Sequence, residues 1–69
     1  MLLNELLVNL SYQDLDRKVV INFKNHLSLF CGNVDEALRC LSETILTRDI
    51  ILKYNIENKL YIDINIEFN

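Results

Sequence analysis

The stretch of sequence that decides the fold is Leu60-Tyr61-Ile62-Asp63-Ile64-Asn65-Ile66-Glu67-Phe68, near the carboxyl end of a 69-residue chain. Every second residue in it is apolar, and the residues between them are polar or amphipathic. Because successive side chains of a β-strand point to opposite faces, this alternation predicts a strand with one face in the core and one facing solvent.

A second alternating segment precedes the first and predicts its partner strand. Its apolar residues are Ile50, Leu52, Tyr54 and Ile56. The tetrapeptide Ile56-Glu57-Asn58-Lys59 then predicts a turn, since Asn is among the residues that best tolerate a positive φ. The carboxy-terminal part of the chain is therefore predicted to be an antiparallel β-hairpin.

Two segments carry helix signals. Residues 2–10 place leucines at spacings of three and four, which is typical of one helical face. The segment Asn33-Val34-Asp35-Glu36 is the best capping signal, because Asn33 can accept a hydrogen bond from a free amide of the first turn. Asp35 and Glu36 also complement the positive end of the helix dipole. A helix is predicted from residue 34 to about residue 47.

The segment between these helices allows two interpretations. An apolar stripe at steps of three and four predicts a helix over residues 12–31, ended by Gly32, the only glycine. The alternative is a pair of strands, 18–23 and 27–31, because Val19-Val20-Ile21 is β-branched and Lys24-Asn25-His26 could form a turn. The length of the stripe favours the helix, and the alternative stays open.

These elements predict one small α+β domain over residues 1–69, with two or three amino-terminal helices packed on the carboxy-terminal hairpin. The element order resembles that of a winged helix. The resemblance implies a transcriptional regulator whose helix over residues 34–47 enters the major groove. Asp35 and Glu36 at the start of that helix would repel phosphates, so even within this resemblance a protein is favoured as the partner.

Charge and composition also favour a protein partner. The net charge is −3, and Arg17-Lys18 is the only adjacent pair among seven scattered basic residues, which argues against nucleic-acid binding. Hydrophobic residues make up 51% of a chain that can bury only about 60% of its surface. We therefore expect apolar side chains to remain exposed until another copy or a partner covers them.

Residues suited to catalysis are few. His26 is the only histidine, and it lies five residues before Cys31, too far around a helix for a direct hydrogen bond. Cys31 and Cys40 are expected to be small buried thiols in a reducing compartment, and they do not make a zinc site. A single glycine cannot build a phosphate loop. We predict no enzyme activity, no metal and no cofactor.

The expected location is the cytoplasm. The amino terminus lacks a basic leader and a cleavage site, and no apolar run approaches the ~20 residues that span a bilayer. A composition rich in Asn, Ile and Leu favours a phage or mobile-element origin.

The solvent-facing side of the hairpin is the predicted partner-binding surface. The proposed contact residues are Tyr61, Asp63, Asn65, Glu67 and Lys53, with Ile51 and Asn55 expected on the same side. The last strand is long and lacks the usual features that block edge pairing, so its edge is expected to be covered either by another segment of this protein or by another chain. Strand addition at the hairpin edge, in a homodimer or with a target, is the prediction. The predicted function is a small protein-binding module that inhibits or modulates a larger cytoplasmic protein.

Overall fold

Three short helices and four strands make up the chain in the computed structural model, which describes residues 1–24 and 28–65. In chain order they are α1 (Leu3–Ser11), β1 (Lys18–Phe23), β2 (Ser28–Asn33), α2 (Val34–Cys40), α3 (Glu43–Leu46), β3 (Ile50–Ile56) and β4 (Lys59–Ile64). The predicted α+β class is confirmed, as are a helix near the amino terminus and the carboxy-terminal hairpin.

The four strands form one mixed sheet in the order β2-β1-β4-β3. β1 pairs in parallel with β4, so that Ile21 lies beside Ile62, and the β1–β2 and β3–β4 pairs are antiparallel. The last strand is therefore an interior strand and not an edge.

The core lies between the helices and one face of the sheet, which we call the inner face. Its buried sheet residues include Leu60, Ile62 and Ile64, and the inward direction predicted for these three is confirmed. Ile66 and Phe68, predicted to share this face, lie outside the described residues. The whole buried cluster consists of Leu3, Leu6, Leu7, Val19, Ile21, Val34, Ala37, Leu60, Ile62 and Ile64. All three described helices contribute to this cluster or pack against it, so none of them covers the opposite, outer face.

The helix predicted over residues 12–31 is wrong, because β1 and β2 occupy residues 18–23 and 28–31 of that segment. The alternative pair of strands is confirmed within the described residues, although Leu27 lies outside them. Val19 and Ile21 alternate with less buried neighbours and have no exposed surface. β-branched residues fit a pleated strand better than a helix. As a strand, this segment also pairs in parallel with β4, which a helix cannot do.

Gly32 was predicted to end a helix, and this too is wrong. It lies in β2, and its φ is not positive. A Cβ at this position would lie 2.9 Å from Cζ of Phe30, so the glycine leaves room for the Phe30 ring, which packs against the core. The winged-helix element order is absent as well, because strands stand where that order requires a helix.

The predicted cap of the third helical segment is confirmed. The Asn33 side-chain oxygen Oδ1 accepts a hydrogen bond from the Glu36 amide at 2.8 Å. The helix is shorter than predicted, because Leu41 adopts an extended conformation and ends α2. The chain resumes as α3 after Ser42, and this break lets Ile45 pack against the core.

Candidate protein-binding edge

The outer edge of β3 is open over most of its length. β3 pairs with β4 on one side, and no strand within residues 1–24 and 28–65 pairs with its other side. Only its start is covered, where the Ile50 amide donates to the Met1 carbonyl at 2.9 Å. Within the part of the chain that the structure describes, the open edge therefore runs from Ile51 to Ile56.

The edge that was predicted to seek a partner was that of the last strand, and this assignment is corrected by the sheet order. β1 covers one side of β4 and β3 covers the other. β2 forms the second edge of the sheet, but its large apolar residues Leu29 and Phe30 are half-buried against the core. β3 is thus the edge that combines open backbone groups with exposed apolar side chains.

Exposed apolar side chains line the outer face along β3. Leu52 is 53% exposed, Tyr54 37% and Ile56 49%. Tyr54 lies opposite Tyr61 of β4, and their rings stack with centroids 5.4 Å apart. We call Leu52, Tyr54, Ile56 and Tyr61 the outer strip; an apolar surface of this kind is a common mark of an interaction site.

A cleft of about 490 Å³ lies on the inner side of the same edge. Lys53 and Asn55 face it because they lie opposite the buried Ile62 and Leu60. The Arg17 guanidinium donates a hydrogen bond to the Asn55 side-chain oxygen. The full lining is Leu6, Leu10, Gln13, Asp14, Arg17, Lys53, Asn55 and Leu60.

The structure separates the five predicted contact residues. Tyr61 and Asp63 are half-buried on the outer face, where the Asp63 carboxylate accepts a contact of 3.5 Å from the Asn22 amide group. Asn65 follows β4, and its backbone amide donates to the Asp49 carbonyl at 3.0 Å. Lys53 was predicted on the same side as Tyr61 but lies on the inner face. Glu67 lies outside the described residues.

The placement of Lys53 and the outer strip could have been obtained from the sequence. A two-residue turn at Glu57 and Asn58 sets Ile56 opposite Lys59, and counting back places Tyr54 opposite Tyr61. Directly opposed residues of a strand pair share a face. The alternation of Leu52, Tyr54 and Ile56 with polar residues instead favoured an inward direction for these side chains. That prediction was wrong, because Tyr54 lies on the outer face opposite Tyr61.

The described part of the chain does not assemble a recognisable reaction centre. Cys31 and Cys40 are free, and both are exposed, so the expectation of buried thiols is wrong. Among the described residues, no three His, Cys, Asp or Glu side chains lie close enough to hold a metal ion. His26 lies outside the described residues. None of the described helices is long and apolar enough to cross a membrane.

No family model, curated protein or solved structure matches this chain. The open edge, the outer strip and the cleft are therefore the features from which a function can be inferred.

Proposed function

We propose that this protein is a small non-enzymatic module that binds another protein by strand addition at the outer edge of β3. The observation that carries the proposal is the open edge from Ile51 to Ile56, flanked by exposed apolar side chains. An extended segment laid along such an edge gains main-chain hydrogen bonds, and its alternate side chains provide specificity. The prediction of a docking role at the hairpin edge is thereby transferred from β4 to β3.

The outer strip supplies an apolar contribution to this binding. Fully burying a large apolar side chain stabilises by roughly 1.5–3 kcal/mol, so covering the half-exposed Leu52 and Ile56 contributes about 1 kcal/mol each. The rings of Tyr54 and Tyr61 already stack on each other in the free protein, and tyrosine side chains lose little conformational entropy on binding. These terms come in addition to the backbone pairing.

A module of this size acts by occupying a surface of its target. We propose that the target is a larger cytoplasmic protein whose activity is inhibited or modulated, as phage-encoded inhibitors, antitoxins and immunity proteins do. The small size, the net charge of −3 and the apolar edge support this class. The alternative, a transcriptional regulator, was based on the element order of a winged helix. Because β1 and β2 stand where that order requires a helix, we do not retain this alternative.

The same edge supports weak self-association into a homodimer. A two-fold antiparallel pairing of β3 with its copy, centred on Tyr54, sets Leu52 opposite Ile56 and Lys53 opposite Asn55 of the second copy. We expect sedimentation equilibrium to show a mass above 8.1 kDa at high protein concentration. A Leu52→Lys variant, which adds a charge to this edge, should remain monomeric.

Site-specific photo-crosslinking tests the docking surface. A benzoylphenylalanine placed at position 54 should give a defined adduct with one larger protein in a lysate of the native host. The matched control carries the same group at position 12, because Tyr12 is 85% exposed, lies after α1 and is not among the residues that line the cleft. The adduct at position 54 should disappear when Leu52→Lys is added.

Equal adducts from positions 12 and 54 would contradict the proposal, because they would show contact without preference for β3. Persistence of the adduct in the Leu52→Lys variant, with a native circular dichroism spectrum, would also contradict it. In that case the outer strip would not take part in docking.

A further inference from the structure

Two cations in the cleft beside β3 have no acidic partner among the described residues. Arg17 and Lys53 both line the cleft, and neither forms an ion pair within the described residues, where the one ion pair joins Arg39 and Asp35. Asp14 is the only carboxylate in the lining, and its Oδ1 already accepts a hydrogen bond from the Asp16 amide at 2.9 Å. The cleft therefore carries a net positive charge over a floor of leucines.

The positive charge extends beyond the cleft. The parallel register of β1 and β4 sets Val19 beside Leu60, and hence Lys18 beside Lys59 at the same end of the sheet. Both lysines are exposed, and both lie on the outer face, because Lys59 lies opposite Ile56 of the outer strip. Of the seven basic residues, four, namely Arg17, Lys18, Lys53 and Lys59, lie around this end of the open edge, together with the acidic Asp14, Asp16 and Glu57. This end therefore keeps a small excess of positive charge, although the whole chain has a net charge of −3.

We propose that β3 accepts an extended segment of a partner protein in which acidic and apolar residues alternate. This inference rests on the proposed strand addition and identifies the chemistry of the partner. Side chains of an added strand point alternately to the two faces of the sheet. Those on the inner side enter the cleft, where a carboxylate meets Lys53 and Arg17, and those on the outer side cover Leu52 and Tyr54.

Charge complementarity favours such a segment over a second copy of this chain. β3 itself has no acidic residue between Ile51 and Ile56, so a second β3 would bring another Lys53 to a region that is already positive. Opposite charges fix the register and orientation of an interface, and like charges disfavour it. The homodimer is accordingly the weaker complex, and an acidic strand displaces it.

A peptide series tests the inference directly. The probes are three acetylated, amidated heptapeptides: Thr-Glu-Val-Glu-Val-Glu-Thr and its counterparts with Gln or Lys in place of every Glu. Each is titrated into the ¹⁵N-labelled full chain, and the amide shifts give both the affinity and the location. We expect the Glu peptide to bind at least 10-fold more tightly than the Lys peptide, with the largest shifts along β3.

Two charge reversals locate the specificity. Lys53→Glu should weaken binding of the Glu peptide at least 10-fold and strengthen binding of the Lys peptide. Lys24→Glu makes the same change in net charge at an exposed residue after β1 that does not line the cleft, and it should leave both affinities within twofold. Equal losses from the two reversals would overturn the inference, because they would reflect overall charge alone.

The peptides also separate this inference from the strand-addition proposal. If the Gln peptide binds along β3 as tightly as the Glu peptide, strand addition stands and the acidic preference is overturned. If none of the three shifts β3, both are overturned. A dimer that excess Glu peptide does not dissociate would identify the second copy as the occupant of the edge, which also overturns the inference.

Discussion

Replacing Asn33 by Ala tests the start of α2 quantitatively. The Asn33 Oδ1 atom satisfies the Glu36 amide at 2.8 Å, and the substitution removes this acceptor from a helix of seven residues. Loss of such a cap costs about 1 kcal/mol. With an unfolding entropy of roughly 2.1 cal/mol/K per residue, a 69-residue chain should lose about 7 °C in Tm.

The assay is thermal unfolding followed by circular dichroism, together with urea unfolding for the free energy. Ser42→Ala is the matched control, because Ser42 occupies the same position before α3 but its side chain makes no cap hydrogen bond. We expect that control to change Tm by less than about 3 °C. Equal shifts for Asn33→Ala and Ser42→Ala would refute the energetic role of the cap, and so would an unchanged Tm for Asn33→Ala.

Four further predictions concern the core, a buried charge, the hairpin turn and the thiols. Ile64→Asp places a charge at a side chain with no exposed surface and should cost at least about 3 kcal/mol, so a native NMR spectrum would contradict the assigned core. Arg48 is only 8% exposed and donates hydrogen bonds to the backbone carbonyls of Thr44 and Asn65. Arg48→Met keeps the apolar stem but removes these hydrogen bonds, and urea unfolding should show that the free energy of unfolding falls by about 1–3 kcal/mol. Glu57→Asn should raise stability by roughly 0.5 kcal/mol, because Glu57 has a φ of 48° that Asn adopts more readily; a lower Tm would contradict this. Cys31 and Cys40 should both react with a thiol reagent in the folded protein as fast as in urea, and slow native labelling of either would contradict their exposure.

The hairpin and the helix cap could be predicted because their signals are local. The alternation of Leu60, Ile62 and Ile64 and the turn at Asn58 each involve neighbours in sequence, and strand periodicity and φ preference act over a few residues. Asn33 is a further local signal, since a cap needs only the amides of the next turn. These features were confirmed as predicted.

The middle segment was mispredicted because its local signals conflict. A stripe at helical spacing and the β-branched Val19-Val20-Ile21 coexist in it, and each fits a different element. The conflict is resolved by β4, whose free side pairs with β1 about 40 residues away in sequence. Such a pairing leaves no periodic signature in the segment itself.

The sequence alone therefore determined an α+β class, the hairpin, the inward face of β4 and the cap at Asn33, since each depends on contacts between near neighbours. Only the tertiary structure decided that β4 is an interior strand, that β3 is the open edge, and that Arg17 lines the cleft with Lys53 and reaches Asn55 across it. The physical reason is that a sheet edge and a charged cleft arise from how distant segments are ordered in space, and that order is set by burial of the shared core.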